Sequence, residues 1–343
     1  MGDKVQTVTF GVIAYNEQRY LPDLLEDLLK QTYSRMLTEV ILVDGDSNDE
    51  TWQIMELFKK QHDTEYLSIR LLHNSKRIQP VGWNIVIQNS TAEVILRIDA
   101  HARLPEDFIE KNMKCINGGE YVCGGPRENI IDEDTPWKQM LLAAEQSLFG
   151  SGIASYRQAT QGKKYVKSLF HGAYRQEVFN QVGLFNEKLI RTEDNEFHYR
   201  IREAGYRFCY NPEIKSYYQT RNSLRGMLRQ KYQNGLWIGK TLFVCPKCIS
   251  IFHLIPFAFV CAIVLTGILL EFHIQWPALC LWFAYGLANV FTTITAIVGM
   301  KHKSLCIVAL PFVFLLLHTS YGVGTMKGVL NMLTVNMFGR ETR

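Results

Sequence analysis

Charge is scarce in the last third of the chain. Only seven charged residues lie beyond position 247, and they leave uncharged stretches of 23, 29 and 23 residues. A helix of about 20 apolar residues is long enough to cross the hydrocarbon core of a bilayer. We predict a membrane domain over residues 248–343, with hydrophobic segments near 251–270, 277–299 and 305–324. The sequence Tyr321-Gly322-Val323-Gly324 leaves open whether the third segment spans the membrane or is broken into a re-entrant element.

Acidic residues are absent from the stretch just before this domain. None occurs between Glu213 and Glu271, whereas the same interval contains seven basic residues: Lys215, Arg221, Arg225, Arg229, Lys231, Lys240 and Lys247. Apolar residues recur there at helical spacing, at Leu224, Met227, Leu228 and Tyr232. This pattern predicts a basic amphipathic helix over residues 221–247 that lies on an anionic membrane surface. The alternative is an ordinary helix with a solvated charged face.

Three other absences limit the possible functions. The formal net charge of +4 is too small to indicate a nucleic-acid-binding surface, so we predict no nucleic acid partner. The eight cysteines are scattered, which suits a reducing compartment, and the Cys245-Pro246-Lys247-Cys248 sequence has no second cysteine pair to complete a zinc site. No long apolar segment precedes the first strand pattern, so we expect the polar half to stay in the cytoplasm.

The polar half alternates strand and helix patterns. Apolar runs typical of buried strands occupy residues 8–14, 40–43, 67–72 and 94–98, with helical patterns between them. Short connections between alternating strands and helices favour an α/β fold with a mostly parallel sheet covered by helices. The glycine pattern G-x-G-x-x-G does not follow the first strand, which disfavours a dinucleotide-binding domain.

Polar turns follow three of these predicted strands, at residues 16–17, 44–49 and 99–101. Parallel strands end at one edge of a sheet, where ligands bind in α/β folds. Carboxylates gathered there repel each other unless a cation lies between them. Asp99 and His101 precede a helix that we expect Pro105 to open, and both side chains could bind one divalent cation. The turns therefore predict a nucleotide-plus-metal pocket, and the alternative is a set of ordinary solvated turns.

A second acidic pair opens a later helix. Phe197, Ile201 and Ala204 recur at helical spacing, and Gly205 ends the run. Glu193 and Asp194 therefore stand at the helix start, where free backbone N–H groups favour an anion. From the residues alone, Asp194 is either an N-cap or a carboxylate that takes a proton from a substrate.

The ordered motifs resemble those of a known family. They are Ala14-Tyr15-Asn16-Glu17, Val43-Asp44-Gly45-Asp46-Ser47, Arg97-Ile98-Asp99-Ala100-His101, Phe170-His171-Gly172-Ala173-Tyr174-Arg175, Val182-Gly183-Leu184-Phe185-Asn186-Glu187 and Thr192-Glu193-Asp194-Asn195-Glu196. In this order, over roughly residues 5–240, they resemble family 2 of the inverting glycosyltransferases. The similarity extends to membrane-attached enzymes of the succinoglycan glucosyltransferase type. The resemblance implies the GT-A nucleotide-sugar fold.

The resemblance assigns the donor site. Asp44 would hydrogen-bond the uracil of a UDP-sugar, and Tyr15 and Glu17 would line the base and ribose pocket. The remaining donor-binding residues would be Ala14, Asp46, Arg77, Asp99 and Ala100. His101 stands where the family has the second aspartate of its D-x-D motif, so it is either a direct metal ligand or a residue that supports one. An imidazole suits Mn²⁺ better than Mg²⁺, and we expect Mn²⁺ (or Mg²⁺) as the cofactor.

The resemblance also assigns the acceptor site. Asp194 would be the catalytic base, and Glu193 would position the acceptor or the sugar. His171 and Gly172 would lie on the acceptor side. Four residues of the basic helix would lie on the diphosphate side: Arg229, Gln230, Lys231 and Trp237. The related polymer synthases carry a Q-x-x-R-W motif in this helix, but its arginine is missing here, which argues against processive polymerisation.

These expectations combine into one function. We predict a metal-dependent inverting glycosyltransferase with a catalytic domain over residues 1–220 facing the cytoplasm and a multi-pass anchor in the cell membrane. It would transfer a sugar from a UDP-sugar to a saccharide on undecaprenyl diphosphate, in bacterial exopolysaccharide or capsule assembly. The alternatives are a polyprenyl-phosphate glycosyltransferase and a non-catalytic membrane assembly subunit. The sequence assigns neither the sugar nor an oligomeric state.

Overall fold

The computed structural model describes residues 6–150, 162–221, 223–300 and 304–338. Two compact units account for the chain. The first comprises Met1–Asn129 with Ala154–Gln219, and the second comprises Ile130–Ile153 with Thr220–Arg343.

The first unit is an α/β domain around an eight-stranded sheet. Eight of the described strands form this sheet and three form a smaller one. In chain order the strands are β1 (Val8–Ala14), β2 (Thr38–Asp44), β3 (Ser68–His73), β4 (Val94–Asp99), β5 (Ala102–Arg103), β6 (Val122–Gly124), β7 (Arg127–Ile130), β8 (Lys164–Val166), β9 (Gly172–Arg175), β10 (Phe208–Tyr210) and β11 (Ser216–Gln219). Its helices are α1 (Leu21–Leu29), α2 (Thr51–His62), α3 (Gln79–Asn89), α4 (Phe108–Asn117), α6 (Gln176–Val182) and α7 (Glu193–Glu203), and α5 (Pro136–Gln146) belongs to the second unit.

The sheet order places the predicted strands at its centre. The large sheet runs β3-β2-β1-β4-β9-β6-β10-β8, and a small sheet runs β5-β11-β7. Strands β1, β2, β3 and β4 are mutually parallel, as the alternating sequence pattern predicts, whereas β9 is antiparallel to both β4 and β6. The mostly parallel, helix-covered sheet is therefore confirmed. The ends of β1, β2 and β4 lie side by side at one edge.

The apolar runs explain why these strands are central. Alternate residues of β1 and β4 face two separate cores, because both sheet faces are covered. Phe10 and Leu96 belong to one core with helices α1 and α4, and Ile95 belongs to the other with Trp83 and Phe197. One local expectation is wrong. Pro105 does not open the next helix, because the two-residue strand β5 pairs with β11 first and α4 begins at Phe108.

The second unit is helical. After α5 it contains α8 (Leu224–Val244), α9 (Ile255–Glu271), α10 (Trp276–Gly299) and α11 (Leu310–Phe338). Among the residues that the structure describes, three stretches of helix are long and apolar enough to cross a membrane: Ile251–Glu271, Trp276–Gly299 and Leu305–Asn336. Helix α11 continues through Tyr321 to Gly324 without interruption, so the alternative of a broken third segment is wrong.

The boundary of the first unit differs from the predicted residues 1–220. Residues 130–150 group with the membrane-type helices, because α5 buries an apolar face among them. Met140 and Ala144 of α5 lie in one cluster with Phe314 and Leu317 of α11. The sequence predicts a helix near residues 136–149 but does not show which helices cover it. For residues 150–167 the sequence leaves two alternatives open, a mobile loop that closes over the donor or acceptor and a plain surface excursion, and residues 151–161 of this stretch lie outside the described residues.

Helix α8 forms where the basic amphipathic pattern predicts a helix, and glycines pack it against α11. A methyl group added at Gly235 would overlap the carbonyl oxygen of Tyr321, and one added at Gly239 would overlap that of Thr325. The partner helix is built in the same way, because Gly324 approaches the backbone of α8 equally closely. Small residues at this spacing let two helix backbones come close together.

This packing predicts a strong effect of a single methyl group. Gly235→Ala should destabilise the second unit by about 1–3 kcal/mol, the usual cost of overpacking a close interface. Gly267→Ala in α9 is the matched control, since nothing lies within 4 Å of its added methyl group. Thermal unfolding of both variants in detergent tests this. Equal unfolding temperatures for the two variants would contradict the close approach of α8 and α11.

Candidate active site

The loops after β1 and β2 are joined by side-chain hydrogen bonds at the edge of the sheet. Asn16 Oδ1 accepts from the backbone N–H of Asn48 (2.8 Å), and the N–H of Asn16 donates to Ser47 Oγ (2.9 Å). The N–H of Glu17 donates to Thr51 Oγ1 (2.8 Å). Asn16 adopts the left-handed φ of 55°, which non-glycine residues adopt mainly where the surroundings enforce it. The two loops therefore form one preformed wall.

Asp44 lies at the base of this wall and is nearly fully buried. Its Oδ1 accepts from Ser47 Oγ (2.6 Å), its Oδ2 accepts from the Ser47 N–H (3.1 Å), and His73 Nδ1 lies 3.9 Å from Oδ2. In the register of the sheet Asp44 is the partner of Ala14, the last residue of β1. Tyr15 follows with 47% of its surface exposed, so its ring is available to a ligand beside the buried carboxylate.

Two further predicted donor residues meet each other. The guanidinium of Arg77 bonds Asp46 through Nε (3.0 Å) and also through Nη2. Both residues have a left-handed φ, 57° for Arg77 and 60° for Asp46. Strained backbone at two adjoining loops is typical of binding sites, where surrounding contacts hold it. The sequence placed these residues in one pocket, and the structure brings them together.

Asp99 and His101 stand at the end of β4, beside β1. His101 Nδ1 lies 3.0 Å from Glu17 Oε1, and its Nε2 is buried with no hydrogen-bond partner. Burial disfavours a charged imidazole, but Tyr218 and the Glu17 and Asp99 carboxylates outweigh burial and raise the pKa of His101 to about 10. The surroundings therefore favour a positive charge on this ring, from a proton or from a metal ion at Nε2.

The donor set suits a metal that shares its coordination with a substrate. When Glu17 accepts the Nδ1–H of His101, the Nε2 lone pair is free to ligate, which is the usual arrangement of metal-binding histidines. Ala100 between the two residues is buried and leaves the turn compact. Among the described residues no group of three or more His, Cys, Asp or Glu side chains could hold a metal ion. Asp99 and His101 would supply two ligands, and phosphate oxygens or water would supply the others.

His171 and Gly172 lie against the same turn. His171 is fully buried, with Nε2 3.9 Å from Asp99 Oδ2 and neither ring nitrogen hydrogen-bonded. Burial lowers the pKa of His171 to about 3, so its imidazole is neutral. Gly172 has a packing role, because an added methyl group would lie 3.0 Å from the carbonyl oxygen of Cys123 on the neighbouring strand.

The two acidic residues at the start of α7 differ in exposure. Glu193 is buried, and burial together with the charge of Asp194 raises its pKa well above 4.5, although Arg97 opposes the rise. Asp194 is partly exposed, and its Oδ1 accepts from the Asn195 N–H (2.8 Å). The alternative role of Asp194 as an N-cap is wrong, because Thr192 is the N-cap residue of this helix.

The predicted residues of α8 belong to the second unit. Lys231 is buried in an ion pair with Glu145 of α5 (3.0 Å), so its charge is already paired. Lys240 lies 4.6 Å from the ring centroid of Trp237. Arg229 is exposed and Gln230 is partly exposed. The sequence could not show the partner of Lys231, since the interval around it contains no acidic residue.

Several residues around the site were not predicted. Arg97 is buried in β4, with its guanidinium 4.8 Å from the Trp83 ring and 4.9 Å from the Phe185 ring. The sequence did contain a sign that Arg97 is unusual, because it is a charged residue inside an apolar strand pattern. Arg127 and Tyr218 also approach the turn of His101, but their short strands carried no comparable signal.

Comparisons with known proteins agree on one family. Residues 9–183, just over half of the chain, match the family model described as Glycosyl transferase family 2. The chain is 26% identical over 330 residues to a Methanococcus voltae protein named dolichyl N-acetyl-alpha-D-glucosaminyl phosphate 3-beta-D-2,3-diacetamido-2,3-dideoxy-beta-D-glucuronosyltransferase, covering 94% of this chain and 97% of that one. It is 25% identical over 302 residues to the succinoglycan biosynthesis protein ExoA of Rhizobium meliloti, covering 83% and 88%.

One solved structure shares the fold over nearly the whole chain. It is the mannosyltransferase PcManGT from Pyrobaculum calidifontis in complex with GDP-Man and Mn²⁺, which is 16% identical with a TM-score of 0.57. The likeness covers 98% of this chain and 88% of that chain. The GT-A fold that the motifs indicate is thereby confirmed.

The buried state of Glu193 predicts a pH-dependent stability. The folded protein keeps the Glu193 proton at pH values where the unfolded chain has lost it, so stability falls as pH rises above 4.5 through the raised pKa. Glu193→Gln removes this cost. We expect its unfolding temperature to match that of the wild type near pH 5 and to exceed it near pH 8, by differential scanning fluorimetry.

The control for this comparison is Glu203→Gln, the same change at the exposed end of the same helix. It should follow the wild type at both pH values. If Glu193→Gln also followed the wild type at both, the carboxyl of Glu193 would have an ordinary pKa.

Proposed function

The chain belongs to glycosyl transferase family 2, and on this basis we propose that it transfers a sugar, with inversion, from a UDP-sugar to a saccharide carried on a polyprenyl diphosphate. The observation that carries the proposal is the meeting of the loops after β1, β2 and β4, which gathers Asp44, Asp99 and His101 at one edge of the sheet. The relatives named for succinoglycan biosynthesis and for a dolichyl-linked acceptor support a role in exopolysaccharide, capsule or related glycan assembly.

The donor site is proposed for the wall formed by the first two loops. The buried Asp44 carboxylate, which accepts two hydrogen bonds from Ser47, would accept a further one from the ring N–H of uracil. The exposed ring of Tyr15 offers a stacking surface for the base. Asp46 would bind the ribose hydroxyls while Arg77 keeps its carboxylate in place.

A divalent cation, Mn²⁺ or Mg²⁺, is proposed at Asp99 and His101. When bound there it neutralises the negative charge of the leaving diphosphate. Glu17 supports this site through its contact with His101 Nδ1. Because burial lowers the pKa of His171, its imidazole is neutral and does not neutralise the nearby Asp99 carboxylate, which therefore keeps its negative charge for binding the cation.

Asp194 is proposed as the general base. A hydroxyl of the acceptor sugar attacks the anomeric carbon from the face opposite the diphosphate. The new C–O bond forms while the bond to the diphosphate oxygen breaks, and the hydroxyl proton passes to the Asp194 carboxylate. Glu193 is less suited to this role, because its pKa is raised and it is buried. We propose that it positions the acceptor or the sugar.

The second unit is proposed to hold the enzyme at its lipid-linked acceptor. The three apolar helices would span the cell membrane, with the catalytic unit on the cytoplasmic face. Residues 221–247 would lie at the membrane boundary and residues 248–343 within it. In α8 the exposed Arg229, together with Gln230 and Trp237, would contact the lipid diphosphate, whereas Lys231 is paired with Glu145.

The base assignment gives a direct test. Asp194→Asn removes the proton acceptor and should reduce transfer by about 10²–10⁴-fold, the usual contribution of a general base. Binding of UDP-sugar should change little, since the donor wall contains no residue of α7. The measurements are initial rates with a lipid-linked saccharide and donor binding by calorimetry.

The matched control is Glu203→Gln, which makes the same acid-to-amide change at an exposed position of α7. It should transfer sugar at the wild-type rate. Near-normal turnover of Asp194→Asn would show that another group takes the proton.

A further inference from the structure

A buried arginine contacts two aromatic rings close to the proposed metal site. The guanidinium carbon of Arg127 is 4.1 Å from the ring centroid of Phe170 and 4.2 Å from that of Tyr218. Arg127 is 5% exposed, and its Nη2 donates to Asn129 Oδ1 (2.9 Å). The two rings meet edge to face, with 5.3 Å between their centroids and 89° between their planes, so the guanidinium packs in the corner they form and contacts both. An aliphatic side chain of the same length would lack this cation–π attraction to the rings.

One of those rings packs on His101. The Tyr218 ring and the imidazole meet edge to face, with 4.7 Å between the ring centroids and 69° between the ring planes. The backbone reinforces this contact, because Tyr218 pairs with Ala102 between β11 and β5, and the N–H of Gln219 donates to the carbonyl oxygen of His101. The imidazole is thus held by Tyr218 on its ring and by Glu17 at Nδ1.

The three-stranded sheet β5-β11-β7 connects Arg127 and Tyr218 to His101. Its strands are two to four residues long, too short to be stable without side-chain contacts. Arg127 comes from β7, Tyr218 from β11, and His101 directly precedes β5. All three strands thus contribute to a chain of contacts that ends at the imidazole.

We propose that Arg127 and Tyr218 are positioning residues for metal binding. They hold the His101 ring in the orientation in which Nδ1 contacts Glu17 and Nε2 remains available to a divalent cation. This inference rests on the proposed function, because it takes Asp99 and His101 as the metal ligands. It adds two residues that do not themselves bind the metal.

The experiment measures Mn²⁺ binding by the full chain in detergent micelles containing UDP. The electron paramagnetic resonance signal of free Mn²⁺ reports the affinity, and electron spin echo modulation reports coupling to an imidazole nitrogen. Tyr218→Leu removes the ring, Arg127→Met removes the guanidinium and keeps the length, and Tyr218→Phe keeps the ring. The control is Arg207→Met, since Arg207 makes the same kind of contact with Tyr165 (4.0 Å) at the far edge of the sheet.

We expect Tyr218→Leu and Arg127→Met to bind Mn²⁺ about tenfold more weakly and to weaken the nitrogen coupling, as is usual when the support of a ligand is removed. Tyr218→Phe and Arg207→Met should bind as the wild type does. If Arg127→Met does not fold, the two Tyr218 variants decide the question. Unfolding temperature and UDP binding without metal show that the variants compared are intact.

Three results would overturn the inference, and they differ in what else they affect. If Tyr218→Leu binds Mn²⁺ normally while His101→Ala does not, the metal site stands and the positioning role fails. If His101→Ala and Asp99→Asn bind Mn²⁺ as the wild type does, the metal site itself is misassigned and the inference fails with it. Equal losses in Tyr218→Phe and Tyr218→Leu would also overturn it, because the hydroxyl and not the ring would then matter.

Discussion

Carboxylates that converge at one edge of a sheet must be balanced by positive charge or by hydrogen-bond donors, and the site is built around this requirement. The negative charge of each of these acidic groups is balanced in a different way. Ser47 donates to Asp44, Arg77 pairs with Asp46, and the raised pKa of His101 reflects the negative groups around it. The buried Glu193 differs, because its raised pKa lets it keep its proton. A divalent cation would add the positive charge against which the anionic diphosphate of a nucleotide could bind.

The need to balance buried charge also bears on how the helices and strands of the two units pack. In the α/β unit, polar side chains are paired across loops that the strands align. In the helical unit charge is scarce beyond residue 247, and the buried Lys231 of α8 is neutralised by Glu145 of α5, a helix that the sequence placed in the predicted catalytic domain. There the helices approach through Gly235 and Gly324 instead, which brings backbone against backbone. Such packing needs no charged side chain at the contact itself.

The sequence predicted the long strands and the motif-bearing loops, but not the contacts between residues that are distant along the chain. The four long strands followed from apolar runs, and the motifs around Asp99 and Asp194 indicated the family and its GT-A fold. Strands β5, β7 and β11 are so short that only their partners define them, so Arg127 and Tyr218 carried no signal. Arg97 did stand out as a charge within an apolar run, but its place between Trp83 and Phe185 depends on tertiary packing.

The central claim is that the residues at this edge of the sheet catalyse the transfer of a sugar from a UDP-sugar to a lipid-linked saccharide. Mass spectrometry of lipid extracts tests it most directly, after purified protein is incubated with a polyprenyl-diphosphate saccharide and a panel of UDP-sugars. The account predicts that one donor adds a single sugar to that acceptor, with the anomeric configuration inverted. Transfer to bare polyprenyl phosphate alone, or UDP release with no product that depends on the acceptor, would contradict it.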